Sequence, residues 1–446
     1  MMKSLFLISL AVILLSACAP HIGNNPVDAS ARQIQNQTIE NRWWLTFNDP
    51  LLNELVSKIE IQNLDIQIAE ARLREARALR SAAQSRLLPE ISAAGAASRS
   101  NMRSNNAENF LQAGFDAAWE IDLFGRLSAG VDAAAAREIA RTADIAEVRN
   151  IIVADLTRAL IEWRQARQTQ AEIKSLLKSQ QEQISLLRER SNAGLIDASF
   201  LERARAQKAQ TETALPQAEA AALAAQYQIE RLLADRSGLT ENLLKKEETA
   251  ALRIPKLEAL DQITVDRLRD RPDIRLARAN LLEAQANLRE AEANLWPRLS
   301  LSSFLGLQDG GDGLRLASNP AWSLASGLSA PILNFGRLRA ERKASDERRQ
   351  QVLLSYEDTV NRALQETKTA MSDYMNGIQA VSDRNKALKS RKDTVYIARE
   401  RFERGLTDMT DLTTAQAELD QATIDLINQK TSTAIAFIRL QKALSL

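Results

Sequence analysis

The tetrapeptide FGRL stands at 124–127 and again at 335–338, an offset of 211. The stretch NAGLIDASFLERAR at 192–205 answers ERGLTDMTDLTTAQ at 403–416 with the same offset. Gly194, Leu195, Asp197, Leu201 and Ala204 are matched by Gly405, Leu406, Asp408, Leu412 and Ala415. Upstream, LLPEIS at 87–92 answers LWPRLS at 295–300, and NLDIQIAEARL at 63–73 answers RPDIRLARANL at 271–281, both at an offset of 208. The change of three fits a loop-length difference between the proline and FGRL. Four landmarks in one order make this an internal duplication, so both halves must build the same elements.

Each copy reads as a helix of about 30 residues running to the proline, two short extended segments, a very long helix, a glycine turn and a return helix. Glycine, proline and aromatics are scarce, with 15 Gly, 10 Pro and 4% aromatics, and the Ala, Leu, Gln, Glu and Arg that dominate favour helix. The first long helix is expected over 127–192, with neither Gly nor Pro after Gly130. At 1.5 Å per residue it would run roughly 100 Å, wider than one globular core. Ile145, Val148, Ile152, Leu156, Leu160 and Trp163 recur along it at spacings of three and four, a packing stripe. Alanine runs at Ala133–Ala136 and Ala220–Ala222 allow close helix approach. An isolated coiled-coil rod would explain the helices but not the segments between them.

Those segments alternate with period two. In FLQAGFDAAWEIDLF, 110–124, one face carries Leu111, Phe115, Trp119 and Ile121 and the other Gln112, Asp116, Glu120 and Asp122. Leu299, Leu301, Leu305 and Leu307 alternate with Ser300, Ser302 and Gly306; Trp322, Leu324, Leu328 and Ile332 alternate with Ser323, Gly327 and Ser329. The fourth segment, 91–101, has the weaker face Ile91, Ala93, Gly95 and Ala97. Strands of about ten residues with one apolar and one polar face suit a transmembrane barrel, although a half-buried soluble sheet would alternate too. A membrane sheet must close, and known barrels need at least about eight strands. One chain offers four, so the membrane reading demands an oligomer.

The N-terminus points to export. Lys3 precedes the apolar run Leu5–Leu15, too short to span a bilayer and suited to a signal peptide. LSAC at 15–18 resembles a bacterial lipobox, making Cys18, the only cysteine, the expected lipid attachment site; Ala19 rather than Asp favours outer-membrane sorting. The net charge of +1 gives no electrostatic reason to expect nucleic acid. The one histidine, His21, lies beside the lipid site, and no P-loop, HExxH or Cys/His metal cluster is present. An enzyme is therefore not expected, nor a cofactor beyond the lipid.

With the opening RWWLTFNDPLLNELV at 42–56, the duplicated plan, the paired FGRL and the glycine turns, the chain resembles the TolC-type outer membrane channels, in the lipidated branch with OprM, CusC and NodT. The resemblance implies a fold that is mostly α with a membrane β part: a homotrimer sharing one twelve-stranded β-barrel, continued by a long α-helical barrel across the periplasm. It implies a passive efflux duct working with a periplasmic adaptor and an inner-membrane pump, often of the resistance-nodulation-division type. Gly194, Leu195, Gly405 and Leu406 would be the turns at the hairpin tips, with Leu201 and Leu412 in grooves meeting the adaptor. Asp411 matches the first of two aspartates that project into the closed pore of such channels, while Thr414 stands at the second. Asp408 either adds charge to that gate or caps the returning helix. Phe402 occupies the place of a latching tyrosine, so that hydrogen bond is absent. The organisation expected is signal peptide 1–17, lipidated tether 18–50, first helix 51–88, β-hairpin 89–125, helical hairpin 126–235, equatorial linker 236–262, second-copy helix 263–296, β-hairpin 297–336 and helical hairpin 337–446. A type I protein secretion channel and a non-pore structural coiled-coil lipoprotein are the alternatives; an adaptor would need one hairpin, not two.

Overall fold

The structure, a computed structural model, describes residues 42–100, 108–194, 196–246, 253–255, 269–310, 320–407 and 409–444. Cys18 and the rest of the segment up to 41, Leu195 and Asp408 lie outside these residues. The described chain begins with a 3-10 turn, Trp43–Phe47, followed by α1 (Pro50–Gln62), α2 (Leu64–Ser85), β1 (Glu90–Ser100), β2 (Glu108–Ile121), α3 (Arg126–Asn192), α4 (Ala198–Glu212), α5 (Ala214–Leu232) and α6 (Leu239–Lys245). The second copy supplies α7 (Pro272–Ala293), β3 (Arg298–Gly310), β4 (Pro320–Ser329), α8 (Arg337–Glu403) and α9 (Met409–Leu444). The two long helices, α3 and α8, are each 67 residues.

Two elements read as single helices from the sequence are broken. The first helix stops at Asn63, whose side-chain oxygen accepts from the backbone N–H of Asp65 and Ile66 and so starts α2 afresh. The first return helix stops at Thr213. Pro216 follows three residues later; it has no N–H to give the carbonyl of Glu212, whereas α9 meets no proline and runs unbroken.

The chain divides into two compact units. One gathers Ala76–Ile139 and Ala279–Gln350 and holds the sheet. The other takes Ile39–Glu75, Ala140–Arg278 and Gln351–Leu446. Its core gathers Trp43, Phe47, Leu52, Leu55, Leu156, Leu160, Ile229 and Phe437. Phe47 meets Phe437 edge-on at 5.5 Å, and the Tyr374 hydroxyl donates to the Pro255 carbonyl at 2.6 Å. The RWWLTFNDP opening is explained here. Asp49 accepts from the backbone N–H of Leu52 with Pro50 at the first helical position, and the same carboxylate takes both arms of the buried Arg164 of α3.

Candidate functional site

In the sheet unit, β1 to β4 form one antiparallel sheet in chain order. Register turns four separately read alternations into two continuous faces. Ile91 pairs with Ala117, Phe115 with Leu305, Trp119 with Leu301, Leu305 with Trp322 and Leu299 with Leu328, so the apolar residues share one side. Gln112, Asp116, Glu120, Ser300, Ser302, Gln308 and Ser323 share the other. A one-residue slip in any strand would have mixed them. Ile91, Phe115, Leu305, Leu324 and Leu328 are exposed on the apolar side, and Trp322 there is 77% exposed. The weak first strand thus joins the face its own residues barely define. Among the described residues no helix is long and apolar enough to cross a membrane.

Two large apolar side chains of the sheet's central strands, Phe110 and Phe304, stand on the polar side. Phe304 is buried, with its ring against the directly paired Gly114 and Gly306. A Cβ on Gly306 would come within 2.4 Å of the Ala113 carbonyl and 2.7 Å of the Phe304 ring. The two glycines therefore let β2 and β3 approach and leave the ring a seat.

The other unit contains both glycine turns. Gly194 and Gly405 have φ of +71° and +72°, the left-handed region that lacks penalty only for glycine. At the second turn the Leu406 N–H reaches the Arg401 carbonyl at 2.8 Å and the Gly405 N–H the Phe402 carbonyl at 3.0 Å, the paired bonds of a Schellman stop. At the first, the Gly194 N–H reaches Ser191 at 3.0 Å. Asp197 then caps α4, accepting from the Ser199 N–H at 2.7 Å; hydrogen bonding by Ser199 holds its carboxyl below the usual range.

The structure separates the tip residues named from sequence. Leu406 is 66% exposed and presents apolar surface. Leu201 is buried with Ile184, Leu187 and Met409, and the half-buried Leu412 packs on the same cluster. Leu201 is thus interior to the protomer rather than open in a groove, and the half-buried Leu412 ties the second hairpin to the same cluster. Asp411 is exposed in the first turn of α9, where a carboxylate also complements the helix N-terminus, and Thr414 is exposed nearby.

Two features here were not read from sequence. Phe402 packs on the same cluster and carries the Arg190 guanidinium 4.6 Å from its ring centre, a cation–π contact joining α3 to α8. Arg190 and Phe402 are 212 residues apart, and nothing local marks the pairing. Between the return helices lies a cleft of about 320 Å³ lined by Gln180, Arg203, Gln207, Thr413, Gln416 and Asp420. Burial pushes the Asp420 carboxyl up, against the Gln416 amide that donates to it. Among the described residues no group of three or more His, Cys, Asp or Glu could hold a metal ion.

The profile of the family described as outer membrane efflux protein matches residues 55–235 and 265–445, one match for each copy of the plan. The chain belongs to the outer membrane efflux protein family. Among its relatives, the pyoverdine export outer membrane protein OpmQ of Pseudomonas aeruginosa is 26% identical, with 99% of this chain and 96% of that protein covered. Nodulation protein T of Rhizobium leguminosarum bv. trifolii is 25% identical over 84% and 81%. The solved outer-membrane channel OprN superposes with a TM-score of 0.81 at 29% identity, covering 90% of this chain and 92% of that one. Family and fold are those of channel proteins, and this outer membrane efflux protein is placed in the outer membrane with its helical part in the periplasm.

Proposed function

We propose that three copies close one twelve-stranded barrel and that the helical hairpins continue it as a passive duct, through which small toxic solutes leave the cell. The observation that carries this reading is the sheet itself: four strands, two open edges and one continuous exposed apolar face. In lipid an open edge leaves backbone groups unsatisfied, so the sheet must be completed by strands from other copies, and three copies supply twelve. The polar face, with Asp116, Glu120, Gln112 and Gln308, then lines water.

A duct of this kind supplies no energy, so a periplasmic adaptor and an inner-membrane pump, of the resistance-nodulation-division type, are its partners. Docking falls at the hairpin ends, on the turns at Gly194-Leu195 and Gly405-Leu406. Leu406 offers the exposed apolar contact, while Leu201 and Leu412 hold the surface in shape. Cys18 carries the lipid anchor. The substrate class is that of small organic solutes, in line with the pyoverdine export named for one relative.

Three copies of Asp411 around a narrow periplasmic end would make a negative ring that favours cations. Asp408, outside the described residues, is the sequence counterpart of Asp197, which caps α4, and either adds charge to that ring or caps the returning helix. The test is reconstitution of the full chain in planar bilayers. Trimeric mass and discrete conductance steps are expected, with Asp411→Ala raising single-channel conductance and weakening block by divalent and trivalent cations. Absence of conductance would sink the duct; unchanged conductance and block would remove Asp411 from the gate.

A further inference from the structure

In the sheet unit the helices stand in the order of the strands. α2 reaches α3 through Arg77 and Arg80, each 3.1 Å from Glu138. α3 reaches α7 through Arg137–Glu283 at 2.7 Å and Arg289–Asp132 at 2.9 Å. α7 reaches α8 through Arg342–Glu292 at 3.0 Å. The row α2–α3–α7–α8 therefore accompanies β1–β2–β3–β4, and its central step passes from copy one to copy two.

The outer members lack that step on one side. Ala279, Ala286 and Ala293 of α7 are buried, but their counterparts Ala71, Ala78 and Ser85 on α2 are exposed. Ala143 of α3 is buried, but its counterpart Leu354 on α8 is exposed. The same faces are covered where a repeat neighbour exists and open where it does not.

The two offsets carry the central step onto the open flanks. They take Arg137 to Arg348 and Glu283 to Glu75. The charge pair is kept, both side chains are exposed, and neither is ion-paired among the described residues. They take the stacked pair Phe124–Trp296, 5.4 Å between ring centres, to Phe335 and Leu88, which are 93% and 62% exposed. They take the strand pair Ala118–Ser302 to Ser329 and Ala94, and Ile121–Leu299 to Ile332 and Ile91. That register keeps the apolar faces in phase across the seam. One contact is not repeated: Asp132 and Arg289 become Lys343 and Ser81, which cannot form an ion pair.

We infer that α2 and β1 of a second copy cover the open flank of α8 and β4 in the register the duplication prescribes, with Arg348 of one copy paired to Glu75 of the next and Phe335 seated on its Leu88. This rests on the trimeric reading and specifies its seam. Charge complementarity at matched positions and the repetition of an interface already formed inside the chain both favour a second copy over a different partner.

The test is disulfide trapping in the full-length chain, with native Cys18 throughout and the parent as control. Ser329→Cys with Ala94→Cys is expected to give covalent dimers and trimers on oxidation. Ser329→Cys with Ser92→Cys, two residues out of register, is expected to give none. Trapping by the shifted pair alone would overturn the register. Trapping by neither pair in a sample that is trimeric by native mass would overturn the seam and leave the trimer standing; a monomeric parent would overturn the trimer as well. Separately, Arg348→Glu and Glu75→Arg should each lower the temperature at which the trimer dissociates in detergent, and the double variant should recover it. Single variants without a shift would remove the ion pair.

Discussion

Asn63 and Arg271 occupy corresponding places in the two copies and catch corresponding carbonyls, yet they do so with different chemistry. The Asn63 amide donates to the Leu232 carbonyl at the end of the first return helix, and the Arg271 guanidinium donates to the Ala443 carbonyl at the end of the second, both at 2.7 Å. The offset of 208 relates the donors, and 211 relates the acceptors. Asn63 spends its oxygen capping α2. Arg271 instead forks onto Asp273 at 3.0 and 2.8 Å and reaches Glu366 at 2.9 Å. Duplication preserved the clasp between the helix before each hairpin and the return helix of that hairpin. It did not preserve the charge, and the second clasp became the hub of an ionic network.

That difference sets the largest expected effect. Burial works against the charge on Arg271, but the hydrogen bonds it donates to its two carboxylate partners, with their charge, outweigh it and raise its pKa. Arg271→Ala leaves the Ala443 carbonyl only the longer bond from the Thr367 hydroxyl, 3.3 Å, and leaves Asp273 and Glu366 repelling each other, an expected loss of about 3–5 kcal/mol. Asn63→Ala removes one neutral buried hydrogen bond and one cap, an expected loss of about 1–3 kcal/mol. Denaturant unfolding of the two variants in detergent measures both. Equal losses would mean that the charged network adds nothing to the clasp.

The network also makes one copy sensitive to pH. A cavity of about 430 Å³ beside Arg271 is lined by Glu147, Glu366, Asp373, Arg439 and Lys442 among others. Burial pushes the Glu147 carboxyl up from its reference of 4.5; Asp273 and Glu366 push the same way, and Lys442 and Arg271 oppose them. A carboxyl with a raised folded pKa binds its proton more tightly in the folded state. Stability should therefore fall as pH rises from about 4.5 through the raised value and stay at the lower level above it. The counterpart in the second copy, Asp358 on α8, is exposed and paired with Arg362 instead. Glu147→Gln is expected to stabilise the protein at pH 7–8 and to be nearly neutral near pH 4. A Glu147→Gln gain of the same size at both pH values would break the assignment.

What could be read beforehand follows from where the information sits. The duplication, the strand phases and the glycine stops are written in spacing and identity along the chain, and Gly405 needs only its own φ to end α8. Asn63 was invisible as a break because a capping asparagine inside NLDIQIAE differs little from a tolerated helical residue. Arg164 with Asp49, and Arg190 with Phe402, are products of tertiary packing with no local trace. Leu201 and Leu412 were legible as apolar, but which way their helix faces is decided by Ile184, Leu187 and Met409 around them.

The smallest expected effect concerns the one place where the return helices differ in backbone. Pro216 falls at the third position of α5, where a missing N–H is tolerated because the first helical N–H groups lack intrahelical partners in any case. Its counterpart in α9 is Ile427, buried in a helix that runs 36 residues without a stop. Pro216→Ala restores a donor facing the Glu212 carbonyl and removes the reason for the interruption at Thr213. Joining α4 to α5 adds about one hydrogen bond, a gain of roughly 1 kcal/mol, partly offset by the greater freedom the alanine allows the unfolded chain. Amide exchange at 211–217 is the sensitive readout: it should slow toward the rate of the matching stretch of α9. If exchange there is unchanged, the break belongs to Thr213 and its Oγ1 bond to the Gln210 carbonyl rather than to the proline.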